Sequence, residues 1–242
     1  SRYVNSSDIV DGVRRMKTPE EREKMRRASR GNDAVMAKLV KLLSEDHTEL
    51  ELKELLLKVY QSEGFQDFSF EPITAFAGNA ADPHHRPDNS RGHYGDGVVL
   101  DIGGLMDDYC SDMTRTVALG FVTEEMDKVY KTVLKAQLAG IAATKAGVTG
   151  QAMDGAARKV IADAGYGDYF GHGYGHSLGI LIHEAPNANT RNDQPMPENA
   201  VVSAEPGIYL PGKFGVRIED VTVLTKDGCE ILTKSPKNLI IL

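Results

Sequence analysis

Two apolar, strand-like runs of this chain carry acids where a buried strand should carry none. The first, VVLDIGGLMDDYCSDMTRT (residues 98 to 116), ends its aliphatic stretch in Asp101 and places Asp112 eleven residues on. The second, AVVSAEPGIYLPGKFGVRIEDVTVL (200 to 224), has Glu205 and Glu219 on either side of a Pro211-Gly212-Lys213 turn signal. A hairpin turning at Met106-Asp107 sets Asp101 directly opposite Asp112, and one centred on Gly212 sets Glu205 opposite Glu219. Directly opposed residues have Cβ atoms roughly 5 Å apart, and like charges there are destabilising. Burial raises that cost. Such pairs call for shared protons, for cations between them, or for a register in which one acid of each pair faces water.

The surrounding pattern is that of an α+β fold, with helices and strands in separate clusters rather than strict alternation. Thr18-Pro19-Glu20-Glu21 is a helix start with cap, first-turn proline and capping box, and it predicts a helix to about Leu43. Thr48 with Glu51 predicts a second helix ended by Gly64. Thr123 and Thr149 open two more, to about Ala146 and Ala164. Strands are expected over 70–77, 97–103, 108–118, 200–210, 216–224 and 228–232. A loop rich in Asn, Asp, Pro and His fills 78–93. Residues 1–17 read as a linker from a preceding domain, and 18–242 as one catalytic-sized domain.

Seven histidines occur in the 242 residues, and three of them, His172, His176 and His183, fall within FGHGYGHSLGILIHEAPN (170 to 187). Glycines let backbone approach a site closely, and imidazoles bind metal or move protons. The loop PHHRP (83 to 87) adds His84 and His85. Four carboxylates and one imidazole make an oxygen-rich centre. That set suits Mn, Fe, Co or Zn in a two-metal site better than a structural Cys/His zinc. Cys110 and Cys229 fit neither a zinc spacing nor a disulfide framework and are read as reduced and buried.

DIGGLMDDYCSDMTRT, GHGYGHSLGILIHE, SAEPGIYLPG and GVRIED, in that order, resemble the metal-binding motifs of the pita-bread metallopeptidases. This is the creatinase/aminopeptidase superfamily of methionine aminopeptidases, Xaa-Pro aminopeptidases and prolidases. MKTPEEREKMRRASRGND, PHHRP and EAPN are similar to the Xaa-Pro branch. The resemblance implies a curved antiparallel sheet flanked by helices and two divalent ions, manganese first, with cobalt, zinc or iron as alternatives. It implies Asp101 on one ion, Asp112 and Glu219 as bridges, and His176 and Glu205 on the other ion. His84 matches a substrate-facing histidine, and His183 one near the scissile carbonyl. His172 and Arg217 match outer positions of the substrate pocket. Glu205 would accept the proton of the attacking water. Tyr109 and Arg115 are read as structural, and His85 as a solvated neighbour.

The function expected is hydrolysis of the bond N-terminal to proline, as an Xaa-Pro aminopeptidase or Xaa-Pro dipeptidase, by a metal-activated water. The alternatives are a methionine aminopeptidase-like exopeptidase, a metal-free module that binds peptides or proteins, and another reaction on the same fold. The isolated domain is expected to bind two ions and turn over weakly. The partners expected are a small proline-containing peptide and, in a full-length protein, a second copy in a homodimer. A net charge of −7 gives no electrostatic footprint for nucleic acid. No apolar run approaches the ~20 residues that span a bilayer, and SRYVNSSDIVDGVRRM lacks the apolar core of a signal peptide. A cytoplasmic location is therefore expected.

Overall fold

The computed structural model describes residues 7–44 and 46–242. The chain opens with α1 (Ser7–Arg14), α2 (Pro19–Leu42) and α3 (Glu49–Ser62). Both long helices start as their sequences dictate. Thr18 accepts from the Glu21 amide at 3.2 Å while Glu21 receives the Thr18 amide at 2.7 Å. Thr48 and Glu51 repeat this at 3.1 and 2.7 Å. β1 (Asp67–Phe68), β2 (Ile73–Phe76), β3 (Gly97–Ile102), β4 (Gly104–Met106), β5 (Tyr109–Cys110) and β6 (Met113–Ala118) follow. Then come α4 (Glu124–Ala143) and α5 (Gly150–Asp163), capped by Thr123 and Thr149 as expected. The rest is strand: β7 (Gly175–Ser177), β8 (Glu184–Ala188), β9 (Val201–Ala204), β10 (Gly207–Leu210), β11 (Phe214–Arg217), β12 (Asp220–Leu224), β13 (Cys229–Ile231) and β14 (Ile240–Ile241).

The molecule is built in two halves, each a helix pair laid over β-structure. In the first, α2 and α3 cover the sheet β14-β6-β3-β2, burying Leu39, Leu52 and Leu56 against Val98, Leu100 and Val117. In the second, α4 and α5 cover the five-stranded sheet β13-β12-β9-β7-β8 and the β10-β11 ribbon, with Val133, Met153 and Ile161 against Val202, Ile208 and Val216. Apolar burial of this kind contributes about 25 cal/mol per Å² and holds each half together. Helices and mainly antiparallel strands make the α+β class expected from the sequence.

The second acidic hairpin has the predicted register. Gly207 pairs with Arg217 and Ala204 with Asp220, so Glu205 and Glu219 face each other across the break between the two ladders. Pro206, which has no N–H to donate, lies at that break. The first hairpin is corrected. Its turn is Asp107-Asp108, at φ 51° and 66°, not Met106-Asp107. A two-residue hairpin turn needs both central residues in the left-handed region, which Asp tolerates and Met does not. The shift pairs Asp101 with Thr114 and leaves Asp112 diagonal to Asp101, displaced by two and therefore on the same face.

Two further expectations are corrected. The strand expected over 200–210 is two strands that meet at Glu205-Pro206, and the one over 108–118 breaks at Ser111-Asp112. Of the expected linker, residues 7–14 are helical, and its first six residues lie outside those described. Cys110 is buried, as expected, but Cys229 is only half-buried; both are free thiols. Among the described residues no helix is long and apolar enough to cross a membrane.

Behind the site one buried side chain joins the halves. Arg115 on β6 donates to the Glu219 carbonyl at 2.5 Å and to Asp220 at 2.8 Å, both on the second half. It also donates to the carbonyls of Ser235 and Pro236. Tyr109 donates to Glu21 at 2.9 Å. Replacing Arg115 by Met strands Asp220 Oδ1 and the buried Thr114 and Glu219 carbonyls, while Asp220 Oδ2 keeps Gln137 and Lys237, so it should lower stability by about 1–3 kcal/mol. Arg115→Lys should recover less than half of that, because a point-like ammonium cannot span the same acceptors. Urea denaturation of chelator-treated protein measures both.

Candidate metal centre and substrate pocket

A cavity of about 470 Å³ opens where the two halves meet, and all nine residues singled out in the sequence line it. Asp101 comes from β3, and Asp112 from the break before β6. His176 is on β7, and Glu205 and Glu219 are at the paired breaks of the second half. Asp112 and Glu219 are buried, while Asp101, Glu205 and His176 are half-buried towards the mouth. His84 and His183 are exposed on the rim, and His172 and Arg217 line the wall.

The polar contacts leave a deficit of positive charge. Arg217 donates to Asp101 Oδ2 at 2.6 Å, and Thr114 donates to Glu219 Oε2 at 2.7 Å. Asp101 Oδ1 and Glu219 Oε1 are buried and have no partner among the described residues. His176 Nδ1 lies 3.2 Å from the Ser177 carbonyl, which fixes the proton on that nitrogen. The lone pair of Nε2 then points at Asp112 Oδ2 and Glu205 Oε1, 3.5 and 3.3 Å away. Glu205 Oε1 accepts from Ser203 Oγ at 3.0 Å, and among the described residues no Lys or Arg side chain pairs with Asp112 or Glu205. One oxygen each of Asp112 and Glu219 and one His176 nitrogen lie mutually within 4.8 Å. A cation resolves this arrangement, and a metal-binding histidine commonly gives its second N–H to a carbonyl in this way. The residues fit divalent metal.

The proton affinities follow. Burial, then the charges of Glu219, Asp101 and Glu205, holds Asp112 well above the ordinary carboxylate range. Burial, then Glu205 and Asp101, does the same to Glu219. Burial raises Glu205. Burial pushes His172, His176 and His183 down, so each stays neutral to lower pH.

Two positions missed in the sequence stand behind the wall and hold Arg217 and His172. Tyr209 Oη accepts from Arg217 Nη1 at 2.7 Å and donates to His172 Nε2 at 2.8 Å. Thr114 Oγ1 accepts from Arg217 Nε at 3.0 Å. A signal for Tyr209 was present: Gly207 lies two residues before it on the same face, and a Cβ there would fall 2.4 Å from Tyr209 Oη. His85 is not the solvated neighbour expected. Its Nε2 binds Glu49 at 2.7 Å, and Glu49, fully buried at the start of α3, also accepts from the Phe76 and Asp88 amides and from Asn79. These bonds fasten the loop that carries His84.

The model of metallopeptidase family M24 matches residues 23–226. The chain belongs to this family. Among the M24 relatives, the Xaa-Pro dipeptidase of Lactobacillus delbrueckii subsp. lactis is 39% identical over 237 residues, which are 98% of this chain and 64% of the relative. The X-Pro aminopeptidase of Thermotoga maritima superposes with a TM-score of 0.97 at 38% identity, over 100% of this chain and 68% of that one. The prolidase of Pyrococcus furiosus gives 0.93 at 35%, over 95% and 68%. The chain thus spans about two thirds of their length. The M24 fold here is the pita-bread arrangement that the resemblance implied.

A pH dependence follows for the metal-free M24 domain. A carboxyl whose native pKa is raised contributes stability below its unfolded value, here 3.8 for Asp and 4.5 for Glu, and that stability is lost as pH rises through the native value. The depressed histidines act oppositely: their contribution is present above 6.5 and is lost as pH falls. The carboxylate contribution therefore falls as pH rises above about 4.5, so the melting temperature of chelated wild type should fall with rising pH relative to that of chelated Asp112→Asn. Added Mn²⁺ should restore the melting temperature of the wild type and not of the variant.

Proposed function

We propose that this domain hydrolyses the peptide bond N-terminal to proline in short peptides, as an Xaa-Pro dipeptidase or Xaa-Pro aminopeptidase. The observation that carries the metallopeptidase part is the convergence of His176 Nε2, Asp112 and Glu205, with no Lys or Arg among the described residues paired to either carboxylate. The proline preference is supported by relatives named for Xaa-Pro substrates. It is also supported by Phe70, Ile73 and Ile182, which give the cavity an apolar side wall beside its acids. A pyrrolidine ring suits such a wall.

Asp101 would hold one divalent ion, His176 and Glu205 the second, and Asp112 and Glu219 would bridge them, with Mn²⁺ the ion proposed. When bound, such a pair supplies Lewis acidity that makes a water nucleophilic near neutral pH. Glu205 takes a proton from the attacking water on a carboxylate oxygen and hands it to the departing proline nitrogen. His84 and His183, on the rim, donate hydrogen bonds to the substrate and to the developing oxyanion. Arg217 keeps Asp101 in place and, through Tyr209, keeps His172 in one tautomer. A homodimer and a cytoplasmic location are proposed with this reading.

The test is release of the residue before proline from Ala-Pro and Met-Pro by the Mn²⁺-loaded chain, beside Ala-Ala and Met-Ala. Slow cleavage confined to the Xaa-Pro peptides is expected, and Glu205→Gln should reduce it by about 10²–10⁴-fold. Preference for Met-Ala would replace this reading with the methionine aminopeptidase one. Stoichiometric metal binding without cleavage of any peptide would overturn the peptidase assignment.

A further inference from the structure

Residues 14 and 17 lie in the segment read from the sequence as a linker, yet both reach the active-site loop. Lys17 is only 4% exposed. Its Nζ donates to Glu184 Oε2 at 3.0 Å, and Arg14 Nη2 donates to the other oxygen, Oε1. The same Oε1 accepts the Leu181 amide at 3.0 Å. Gly179 leaves room for the pair, since a Cβ there would lie 2.9 Å from Glu184 Oε2 and 3.0 Å from Lys17 Cε. The Lys17 amide is itself tied to the Asn199 carbonyl at 3.0 Å.

Glu184 directly follows His183. The imidazole of His183 is exposed, has no hydrogen-bond partner among the described residues, and meets the His176 ring edge-on at 4.3 Å between centroids. Its aim is therefore set by the backbone of residues 178–183, which form no helix or strand. That backbone is closed on itself by Glu184 through Leu181, and by the Gly179 amide on the Leu181 carbonyl at 2.9 Å.

We propose that Lys17 and Arg14 are positioning residues for His183, acting through Glu184: they lock the carboxylate that folds the 178–183 loop and so fix where the imidazole meets the substrate. This rests on the role given to His183 above. Neither cation lines the cavity that holds the proposed metal ligands. Their effect is on geometry, where a displacement near 1 Å is worth up to about 10²-fold in rate. The segment before the first long helix is thereby a part of the catalytic unit.

Lys17→Met, Lys17→Arg and Glu184→Gln, made in the whole chain, test this with two readouts. The first is kcat and KM on an Xaa-Pro dipeptide at full metal loading. The second is the rate at which diethyl pyrocarbonate modifies His183, measured by peptide mass with His84 as internal reference. Lys17→Met should lower kcat by about tenfold or more with KM little changed. It should raise the relative His183 rate about threefold or more, as the loop opens locally. Glu184→Gln, the milder change, should move both the same way, and Lys17→Arg should stay near wild type. Variants that melt earlier but keep wild-type kcat and His183 reactivity would overturn the proposal, since a purely structural contact does that. If the wild type cleaves no Xaa-Pro peptide, the functional reading fails by itself and the His183 rate alone decides on the clamp.

Discussion

Four carboxylates brought to one largely buried pocket are the constraint on which the rest of this structure depends. Asp101 and Asp112 arrive from one half of the molecule, Glu205, Glu219 and His176 from the other. Uncompensated, they would push the halves apart. Arg217 neutralises one charge and Thr114 solvates another. Divalent cations held there would fill the remaining deficit, so the ions that suit the chemistry would also join the two halves. Arg115 does the corresponding work from behind, buried against Asp220.

The acids also explain the broken strands. Continuous ladders from 200 to 224 would seat Glu205 and Glu219 within regular sheet. Pro206 and the register gap let both backbones turn their side chains into the cavity while their amides still bond, Glu205 N to Tyr174 O at 2.8 Å and Glu219 N to Thr114 O at 3.1 Å. The break before β6 frees Asp112 likewise, with Ser111 Oγ taking the Gly104 amide at 2.9 Å. Irregular backbone sits where the ligands are, and its hydrogen bonds remain satisfied.

Much of this was legible in the sequence, because the signals were local. Threonine caps placed four helices to within a few residues at their starts. The Pro-Gly-Lys turn fixed the second register, and alternation carried it to Glu205 and Glu219. The first register went wrong by one residue in the turn, since Met106-Asp107 and Asp107-Asp108 differ only in which residues must take positive φ. The displacement of two preserved the face, so the site survived the error. What could not be read was non-local. Glu49 and His85 are 36 residues apart, and Lys17 and Glu184 are 167 apart. No periodicity announces a partner at such a distance, so His85 read as solvated and residues 7–14 as linker.

Those two distant contacts solve one problem in the same way. The proposed metal ligands lie on strands or at their ends, held by sheet hydrogen bonds, but His84 and His183, proposed to meet substrate from the rim, lie on loops. A loop held only by its own turns would leave an imbalance: ångström-level placement of the metals and looser placement of the groups that act beside them. In each case a glutamate at the start of a regular element, Glu49 on α3 and Glu184 on β8, accepts a loop amide, that of Asp88 for the first and of Leu181 for the second. Each is held in turn by a basic side chain, His85 for the first and Lys17 with Arg14 for the second. A carboxylate is suited to this because its two oxygens take several bonds at once and each is stronger for the charge. Rigidity at the rim is thus borrowed from helix and strand through buried acids, whereas at the centre acids are what must be neutralised.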